Sequence, residues 1–186
     1  MQQESNIKQS TPASAAPTRA EISAALGKGL TAAQLAALHN AHVAVVGLGG
    51  LGSNIAVALT RLGVGHLYLY DFDKVELSNL NRQYYFLGDI GKYKADVLVA
   101  HLRQINPYAD FQTQVIRVTA ENIPELLENC SIICEALDAA DSKAMLVSTV
   151  LSSWSDKTVI AGSGLAGFGP ASAITSKRIN KNLYIC

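Results

Sequence analysis

The sequence feature that most constrains this fold is a glycine-rich turn between a predicted strand and a predicted helix. Residues 47–52 read Gly-Leu-Gly-Gly-Leu-Gly, hereafter the glycine loop, and they directly follow the β-rich run at residues 42–46. Apolar residues then recur every three or four positions through Leu62, as on the buried face of a helix. This order predicts a phosphate-binding turn, because free N–H groups at the helix start face the anion.

The glycines of this loop have separate predicted roles. Gly47 permits the tight turn. Gly49 and Gly50 let the backbone approach a phosphate without a Cβ clash, and Gly52 lets the helix and strand pack closely. Asp71 ends the second predicted strand and is placed to accept hydrogen bonds from ribose hydroxyls. On its own this combination is typical of NAD or FAD binding, and a turn that serves only packing is the structural alternative.

Strand-like and helix-like segments alternate along the rest of the chain. Strands are predicted at residues 42–46, 66–72, 111–118, 131–135 and 158–161, with amphipathic helices between them. The alternation predicts an α/β fold with a doubly wound, mostly parallel Rossmann-like sheet and helices on both faces. Residues 171–175 and 182–186 are expected to add strands, with antiparallel pairing at an edge. The second is still running where the sequence stops, which makes a truncated C-terminus one interpretation.

Composition suggests the domain boundaries. Residues 1–17 are rich in Gln, Ser, Ala, Thr and Pro and are expected to form a disordered tail. Two N-terminal helices are predicted within residues 18–40, at 18–26 and 31–39, and the second opens with the capping-box pair Thr31 and Gln34. A nucleotide-binding domain is expected over residues 41–186.

The balance of charge and hydropathy narrows the class of protein. Of 186 residues, 49% are hydrophobic and 16% charged, which suffices for one substantial core. Fifteen basic residues balance fifteen acidic ones, so no long-range field favours a nucleic acid or a membrane surface as a partner. The first residues do not have the pattern of a signal peptide, and no apolar run reaches the length of a membrane span. A cytoplasmic enzyme is expected.

The segment after the second predicted strand carries the more specific signal. Residues 71–83 read Asp-Phe-Asp-Lys-Val-Glu-Leu-Ser-Asn-Leu-Asn-Arg-Gln, and Gly-Lys-Tyr-Lys follows at residues 91–94. With the glycine loop and a later acid, Asp138, these motifs closely resemble the ThiF/MoeB/HesA family of the ubiquitin-activating-enzyme-like superfamily. Its members carry GxGGxG, DFD, SNLxRQ and GxxK motifs at these separations. The resemblance runs from about residue 42 to at least residue 164 and implies that the nucleotide is ATP.

The same resemblance implies a role for each polar residue. The nucleotide would lie over the glycine loop, its ribose on Asp71, and its phosphates among Ser78, Asn79, Arg82 and Lys94. Arg82 offers a planar fork of donors that suits phosphate oxygens, whereas Lys94 supplies a mobile point charge. Both are expected to be catalytic because they neutralise developing negative charge, with ordinary solvated surface charge as the alternative.

Asp138 is the predicted ligand of Mg²⁺ and the third predicted catalytic residue. Mg²⁺ is a hard cation that prefers oxygen ligands and bridges phosphates. Many members of the family have Asn at the next position, where this chain has Ala139. Two alternatives therefore stay open, namely Asp141 as the ligand and Asp138 as a cap of the following helix.

The implied reaction is attack of a protein C-terminal carboxylate on the α-phosphorus of ATP, which gives an acyl-adenylate and pyrophosphate. The implied substrate is a small ubiquitin-like sulfur carrier ending in Gly-Gly, most simply one that serves thiamine biosynthesis. Residues 162–169 are rich in glycine and are either a track for the carrier's tail or a loop without contacts. A homodimer is also implied. Arg19 is the one candidate for an arginine lent to the partner's triphosphate, and favourable charge at a helix start is its alternative.

The cysteines predict no metal centre. Cys130, Cys134 and Cys186 have neither a disulfide framework nor the paired spacing of zinc knuckles, so reduced thiols and no zinc are expected. Cys186 is interpreted as a strand cysteine exposed by the chain end in preference to a reactive thiol.

Three rival functions share parts of this pattern. An NAD- or FAD-dependent oxidoreductase would have the same fold and loop but leaves residues 78–83 unexplained. A non-catalytic module would bind nucleotide or carrier without turnover. The third rival is an enzyme that activates the carboxylate of a modified transfer-RNA base. The chain is short for such an enzyme, and its net charge of zero does not favour RNA binding.

Overall fold

The computed structural model of this protein describes residues 16–163 and 175–186. Within those ranges the strands are β1 (His42–Val46), β2 (His66–Asp71), β3 (Asp110–Val115), β4 (Ile132–Glu135), β5 (Thr158–Ala161), β6 (Lys177–Arg178) and β7 (Leu183–Ile185). The α-helices of the same ranges are α1 (Arg19–Leu26), α2 (Ala32–His39), α3 (Gly50–Leu62), α4 (Lys94–Ile105), α5 (Ile123–Leu127) and α6 (Ala140–Ser153). Two single 3₁₀ turns, Leu77–Asn79 and Leu87–Asp89, lie in the crossover from β2 to α4.

The described strands form one sheet in the order β3-β2-β1-β4-β5-β7-β6. Every neighbouring pair is parallel except β6 and β7. The central strands are buried on both faces, as parallel strands covered by crossover helices must be. In β1, Val43 and Val45 face a core that contains α3 and α4, whereas Ala44 and Val46 face a core that contains α5 and α6. The doubly wound α/β prediction is confirmed.

Both N-terminal helices begin at capping boxes. Thr31 Oγ1 accepts the Gln34 N–H at 3.2 Å, and Gln34 Oε1 accepts the Thr31 N–H at 2.9 Å. Thr18 and Glu21 make the equivalent pair at the start of α1. These reciprocal bonds satisfy N–H groups that have no partner within the helix, so two eight-residue helices form where the sequence predicts them.

The predicted strands differ from the observed ones mainly at the sheet edges. β3 ends at Val115 and not at residue 118, because its neighbour β2 ends at Asp71, whose carbonyl accepts the last ladder bond from the Ile116 N–H. The strand expected at residues 182–186 is β7, but it runs parallel to β5 and is antiparallel only to β6, which was not predicted. The strand expected at residues 171–175 falls almost entirely outside the described residues, as does the predicted tail at 1–17.

The strand order places a crevice at the carboxyl ends of β1 and β4. The crossover from β1 leads to β2 on one side, and the chain later returns to β4 on the other side of β1. Ligands of open α/β sheets bind outside the carboxyl ends of the strands at such a switch point. In residues 16–163 and 175–186, no helix is both long enough and apolar enough to cross a membrane.

Candidate functional site

The glycine loop lies at this switch point, and two of its glycines are required by packing. Gly47 has a φ of +90°, a left-handed conformation that favours glycine. A Cβ on Gly47 would lie 2.7 Å from the carbonyl oxygen of Ala136, which follows β4. A Cβ on Gly52 would overlap the carbonyl oxygen of Gly47 itself. The loop therefore closes tightly against both β1 and the chain leaving β4.

Gly49 and Gly50 place no side chains at the start of helix α3. Gly49 is the N-cap of α3 and makes no side-chain cap hydrogen bond. The nearest atom to a Cβ on Gly49 would be Gln83 Nε2 at 3.8 Å, an ordinary contact. These two glycines are therefore not required by packing as Gly47 and Gly52 are, and their position leaves the N–H groups of the first turn available to an anion.

Asp71 forms the floor of the crevice beside the loop. Its side chain is buried, and its two oxygens accept the N–H groups of Leu48 at 2.6 Å and of Asp73 at 2.7 Å. Burial raises the pKa of this carboxyl above its usual range, although the two hydrogen bonds act in the opposite direction. A carboxylate can accept about four hydrogen bonds, so acceptor capacity remains for ribose hydroxyls. Asp71 also fixes the glycine loop, a structural role that was not predicted.

Arg82 lies directly against the glycine loop. A Cβ on Gly50 would be 3.4 Å from Arg82 Cγ and 3.6 Å from its Nε. Its guanidinium donates to Asn81 Oδ1 at 2.9 Å and to the Ser78 carbonyl at 3.3 Å, and the residue is exposed. The backbone is held by Asn54 of α3, whose amide donates to the Arg82 carbonyl at 3.0 Å. A cationic side chain is thereby placed beside the anion-binding helix start.

Further bonds hold the crossover against α3. Ser53 Oγ accepts the Tyr84 N–H at 3.0 Å and donates to the Gly49 carbonyl at 2.7 Å. The Tyr85 hydroxyl donates to the Leu48 carbonyl at 2.8 Å, and burial raises its pKa. The residues around Arg82 are therefore fixed to the glycine loop by polar side chains that the sequence did not single out.

Ser78 and Asn79 lie in a 3₁₀ turn next to Arg82. Ser78 is exposed. Asn79 is buried, and its Oδ1 accepts the Glu76 N–H at 3.0 Å while its amide approaches Ser78 Oγ at 3.4 Å. Asn79 thus shapes the turn with its oxygen and retains donor capacity on its nitrogen. Their predicted contacts with phosphate stay predictions.

Lys94 is the first residue of α4, and its ammonium is not free. Its side chain is 7% exposed and its Nζ lies 3.0 Å from Asp73 Oδ2, whose own side chain is 48% exposed. The pair joins the end of the crossover to its beginning, near Asp71. If Lys94 binds phosphate as predicted, its ammonium must share its N–H donors between the phosphate and Asp73. Asp73 was missed by the sequence reasoning although it belongs to the DFD motif.

Asp138 is exposed in the loop between β4 and α6. The N-cap of α6 is Ala139, without a side-chain hydrogen bond, so Asp138 does not cap this helix. Asp141 lies in the first helical turn and is also exposed. Within the described residues no three His, Cys, Asp or Glu side chains gather into a metal-binding group. One accessible carboxylate fits Mg²⁺, which usually takes one or two protein carboxylates and otherwise substrate phosphates and water.

A second ion pair, also missed by sequence reasoning, lies under the loop between β4 and α6, and its carboxylate is fully buried. Glu135 ends β4 with a side chain that is 0% exposed, and Lys143 Nζ lies 3.0 Å from each of its oxygens. Burial raises the pKa of Glu135, and Lys143 opposes that shift. The sequence did contain a signal for this pair, which was an acidic residue inside an otherwise apolar strand. A carboxylate buried in this way requires a partner.

Gln83 provides an unsatisfied group at the same place. Its Oε1 is buried and has no hydrogen-bond partner, while its Nε2 faces Gly49. Buried polar side-chain atoms are usually hydrogen-bonded, so Gln83 Oε1 is a candidate acceptor for a ligand bound over the glycine loop.

The amino end of the sheet has a different character. A cavity of about 660 Å³ there is lined by residues of α1 and of the turns before β2 and β3. His42 and His66 stack with ring centroids 4.1 Å apart, and His66 Nδ1 lies 3.2 Å from Asp110 Oδ2. Arg19 also lies at this end, where it donates to the Tyr108 carbonyl at 3.1 Å. Arg19 is therefore remote from the glycine loop of its own chain.

The fold and the switch-point site define a Rossmann-like, nucleotide-binding α/β protein. The profile of the ThiF family matches residues 23–184. The chain belongs to the ThiF family, which confirms the resemblance seen in its motifs.

Individual relatives show how far the similarity extends. The tRNA threonylcarbamoyladenosine dehydratase of Escherichia coli is 39% identical over 110 residues, which are 58% of this chain and 41% of the relative. The adenylyltransferase and sulfurtransferase uba4 of Aspergillus terreus is 34% identical over 115 residues, 61% of this chain and 24% of the relative. The crystal structure of the E. coli dehydratase in complex with ATP superposes with a TM-score of 0.76 at 29% identity, covering 82% of this chain and 63% of that one. The chain thus spans less than half the length of these two curated relatives.

Proposed function

We propose that this chain is the nucleotide-binding domain of an ATP-dependent adenylyltransferase, which joins AMP to a substrate carboxylate. The observation that carries the proposal is the packing of Arg82 against Gly50, with Asn54 of α3 holding the Arg82 backbone. An NAD- or FAD-binding turn needs only the bare helix start, whereas a cation fixed beside it suits a triphosphate. The solved relative that binds ATP supports the same nucleotide.

The proposed reaction needs alignment and charge compensation more than proton transfer. A substrate carboxylate is ionised at neutral pH, so one of its oxygens attacks the α-phosphorus without a general base. The new bond joins this oxygen to phosphorus, and the bond to the bridging oxygen of pyrophosphate breaks with its electron pair. Arg82 and Lys94 offset the developing negative charge, and Asp71 holds the ribose. A Mg²⁺ ion on Asp138 would supply further charge neutralisation.

The substrate we favour is a small ubiquitin-like sulfur carrier that ends in Gly-Gly, as in thiamine biosynthesis. A thin tail could deliver its carboxylate over the glycine loop, where Gly49 and Gly50 have no side chains. The name of the Aspergillus relative, an adenylyltransferase and sulfurtransferase, supports this class of reaction. In this proposal the chain acts in the cytoplasm as a homodimer.

A carboxylate on a modified transfer-RNA base is the second candidate. It is favoured by the 39% identity to the tRNA threonylcarbamoyladenosine dehydratase and by the superposition on that enzyme's structure. The net charge of zero does not favour it, because binding of a polyanion draws much of its affinity from basic residues.

One assay separates these possibilities. Exchange of labelled pyrophosphate into ATP is measured with the protein alone, with a small carrier ending in Gly-Gly, and with tRNA that bears threonylcarbamoyladenosine. Exchange that needs the carrier supports the first substrate, and exchange that needs the tRNA supports the second. Binding of ATP without exchange in any arm would favour the non-catalytic module, and tight binding of NAD without binding of ATP would contradict the proposal.

A further inference from the structure

The loops that follow β4 and β5 are joined by one buried ion pair. Glu135 is the last residue of β4, and Lys143 lies in the second turn of α6 with a side chain that is 18% exposed. Lys143 Nζ donates to both carboxylate oxygens of Glu135 at 3.0 Å. Two charges at this depth fix the distance between a strand end and a helix.

The pair also brackets Asp138. On one side, Glu135 Oε1 accepts the N–H of Leu137 at 2.7 Å. On the other side, the N–H of Lys143 donates to the carbonyl of Ala139 at 3.0 Å. The residue before Asp138 is therefore held by the Glu135 side chain, whereas the residue after it is held by the first backbone bond of α6, and the Asp138 side chain itself is exposed.

The same lysine reaches the end of β5. Lys143 Nζ donates to the carbonyl of Gly162 at 3.2 Å, and the N–H of Gly162 donates to the Glu135 carbonyl at 3.3 Å. The next residue back from Leu137, Ala136, forms the wall against which Gly47 of the glycine loop packs. The Glu135–Lys143 pair thus connects three segments around the crevice, which are the loop after β4, Gly162 after β5 and, through Ala136, the glycine loop.

Stability alone does not explain such a pair. Buried ion pairs are often replaced by apolar residues at little or no cost, because desolvation offsets their attraction. Apolar side chains would not accept the Leu137 N–H or donate to the Gly162 carbonyl. These are the two bonds that set the rim, and they need a buried acceptor and a buried donor.

We propose that Glu135 and Lys143 are positioning residues that fix Asp138 and Gly162 relative to the glycine loop. They would act on the reaction through Asp138 and would not themselves touch the nucleotide. This inference rests on the proposed adenylylation for its effect on rate, but the positioning itself is measurable without turnover.

The test uses the full chain with the double substitution Glu135→Met and Lys143→Met, which removes both charges together, leaves no lone buried charge and takes away the acceptor of the Leu137 N–H. Amide hydrogen exchange is followed at Leu137, and pyrophosphate exchange is measured with the substrate that supports it in the wild type. We expect faster amide exchange at Leu137, a KM for ATP within about twofold of wild type, and a kcat lower by about 100-fold, as for a misplaced catalytic group. The double substitution Glu135→Gln and Lys143→Met, which also leaves no lone charge but retains an acceptor for Leu137, should give a smaller loss and serves if the first variant does not fold.

Two results would overturn the inference. One is an unchanged exchange rate at Leu137 in folded variant protein, and the other is a wild-type kcat despite faster amide exchange. Equal losses in kcat and in ATP affinity would indicate general damage to the fold and count against positioning. A wild-type protein that catalyses no pyrophosphate exchange would instead contradict the proposed function, and amide exchange at Leu137 would still decide whether the pair holds the loop.

Discussion

The two ends of the sheet bury lysine side chains in different ways. At the carboxyl end, Lys94 and Lys143 each pair with a carboxylate, and one of those carboxylates, Asp73, is half exposed. At the amino end, Lys157 donates to the carbonyls of Leu127, Glu128 and Cys130 at 2.7–2.9 Å and lies 4.6 Å from the centre of the Trp154 ring. The amino-end lysine holds a helix terminus together with fixed partners. The carboxyl-end lysines hold carboxylates at a rim that is open to a ligand.

This difference indicates that buried charge is structural at the amino end, whereas at the carboxyl end the paired lysines lie near exposed charges, Arg82 and Asp138, that a ligand can reach. Substitutions at the amino end should therefore change stability but not catalysis, and exposed cations at the carboxyl end should show the reverse. Four measurements test that contrast.

Arg82→Ala should have the largest effect. We expect pyrophosphate exchange to fall by about 100- to 1000-fold, the usual cost of removing one donor to a developing charge. The melting temperature should stay nearly unchanged because Arg82 is exposed. Arg103→Ala, an exposed arginine in the last turn of α4, is the matched control and should retain full activity. If the Arg82 variant unfolds, Arg82 is a structural residue.

Lys157→Met should show the opposite behaviour. Three carbonyls, two of them buried, lose their shared donor, so the free energy of unfolding should fall by about 3 kcal/mol in denaturant titrations. The kcat per folded molecule should not change. Lys181→Met, at an exposed position of the C-terminal hairpin, should leave both quantities as they are. A lower kcat in folded Lys157 variant protein would remove the contrast between the two ends.

Gly50→Ala should have a moderate effect on nucleotide affinity. The new Cβ would lie 3.4 Å from Arg82 Cγ, an ordinary van der Waals contact, and would cover part of the bare helix start that a phosphate approaches. We expect ATP binding to weaken by about tenfold, or 1.4 kcal/mol, in titration calorimetry. Gly88→Ala, where a Cβ would meet no atom within 4 Å, is the control. Unchanged ATP affinity would mean that no phosphate approaches the backbone at Gly50.

The smallest expected effect is a difference in stability between two Asp–His pairs, Asp89 with His101 and Asp110 with His66. Asp89 is buried, and although burial by itself would raise its pKa, hydrogen bonds from the Phe86 N–H and His101 hold that pKa below its usual value. Its stabilising contribution is therefore complete above the unfolded-state pKa of about 4 and is lost as the pH falls through the lower folded-state pKa.

Asp89→Asn should consequently cost about 1 to 2 kcal/mol at pH 7 and should reduce the loss of stability on acidification below pH 4. Asp110→Asn, in the half-exposed pair with His66, should cost less than about 0.5 kcal/mol. Denaturant titrations between pH 3 and pH 7 measure both. Equal losses in the two variants would show that burial does not distinguish the pairs.

Local patterns in the sequence predicted most of the fold. The periodicity of α3, the strand β1 and the capping boxes are properties of neighbouring residues, so they can be read without tertiary information. The edge of the sheet could not be predicted in this way. β6 has two polar residues, Lys177 and Arg178, and exists because β7 provides a partner. β3 stops where β2 stops, which no residue in β3 specifies.

The same distinction between local sequence pattern and tertiary contact applies to the candidate site. The sequence by itself determined the glycine loop, the Asp71–Gln83 segment and the family, because these depend on residue types at fixed spacing. Only the tertiary structure showed that Asp71 ties down Leu48, that Lys94 shares its charge with Asp73, and that Glu135 and Lys143 connect two loops. These pairs join residues from separate elements. Burial and distance decide which charged groups find partners and which stay available for a ligand, and neither quantity can be read from the sequence.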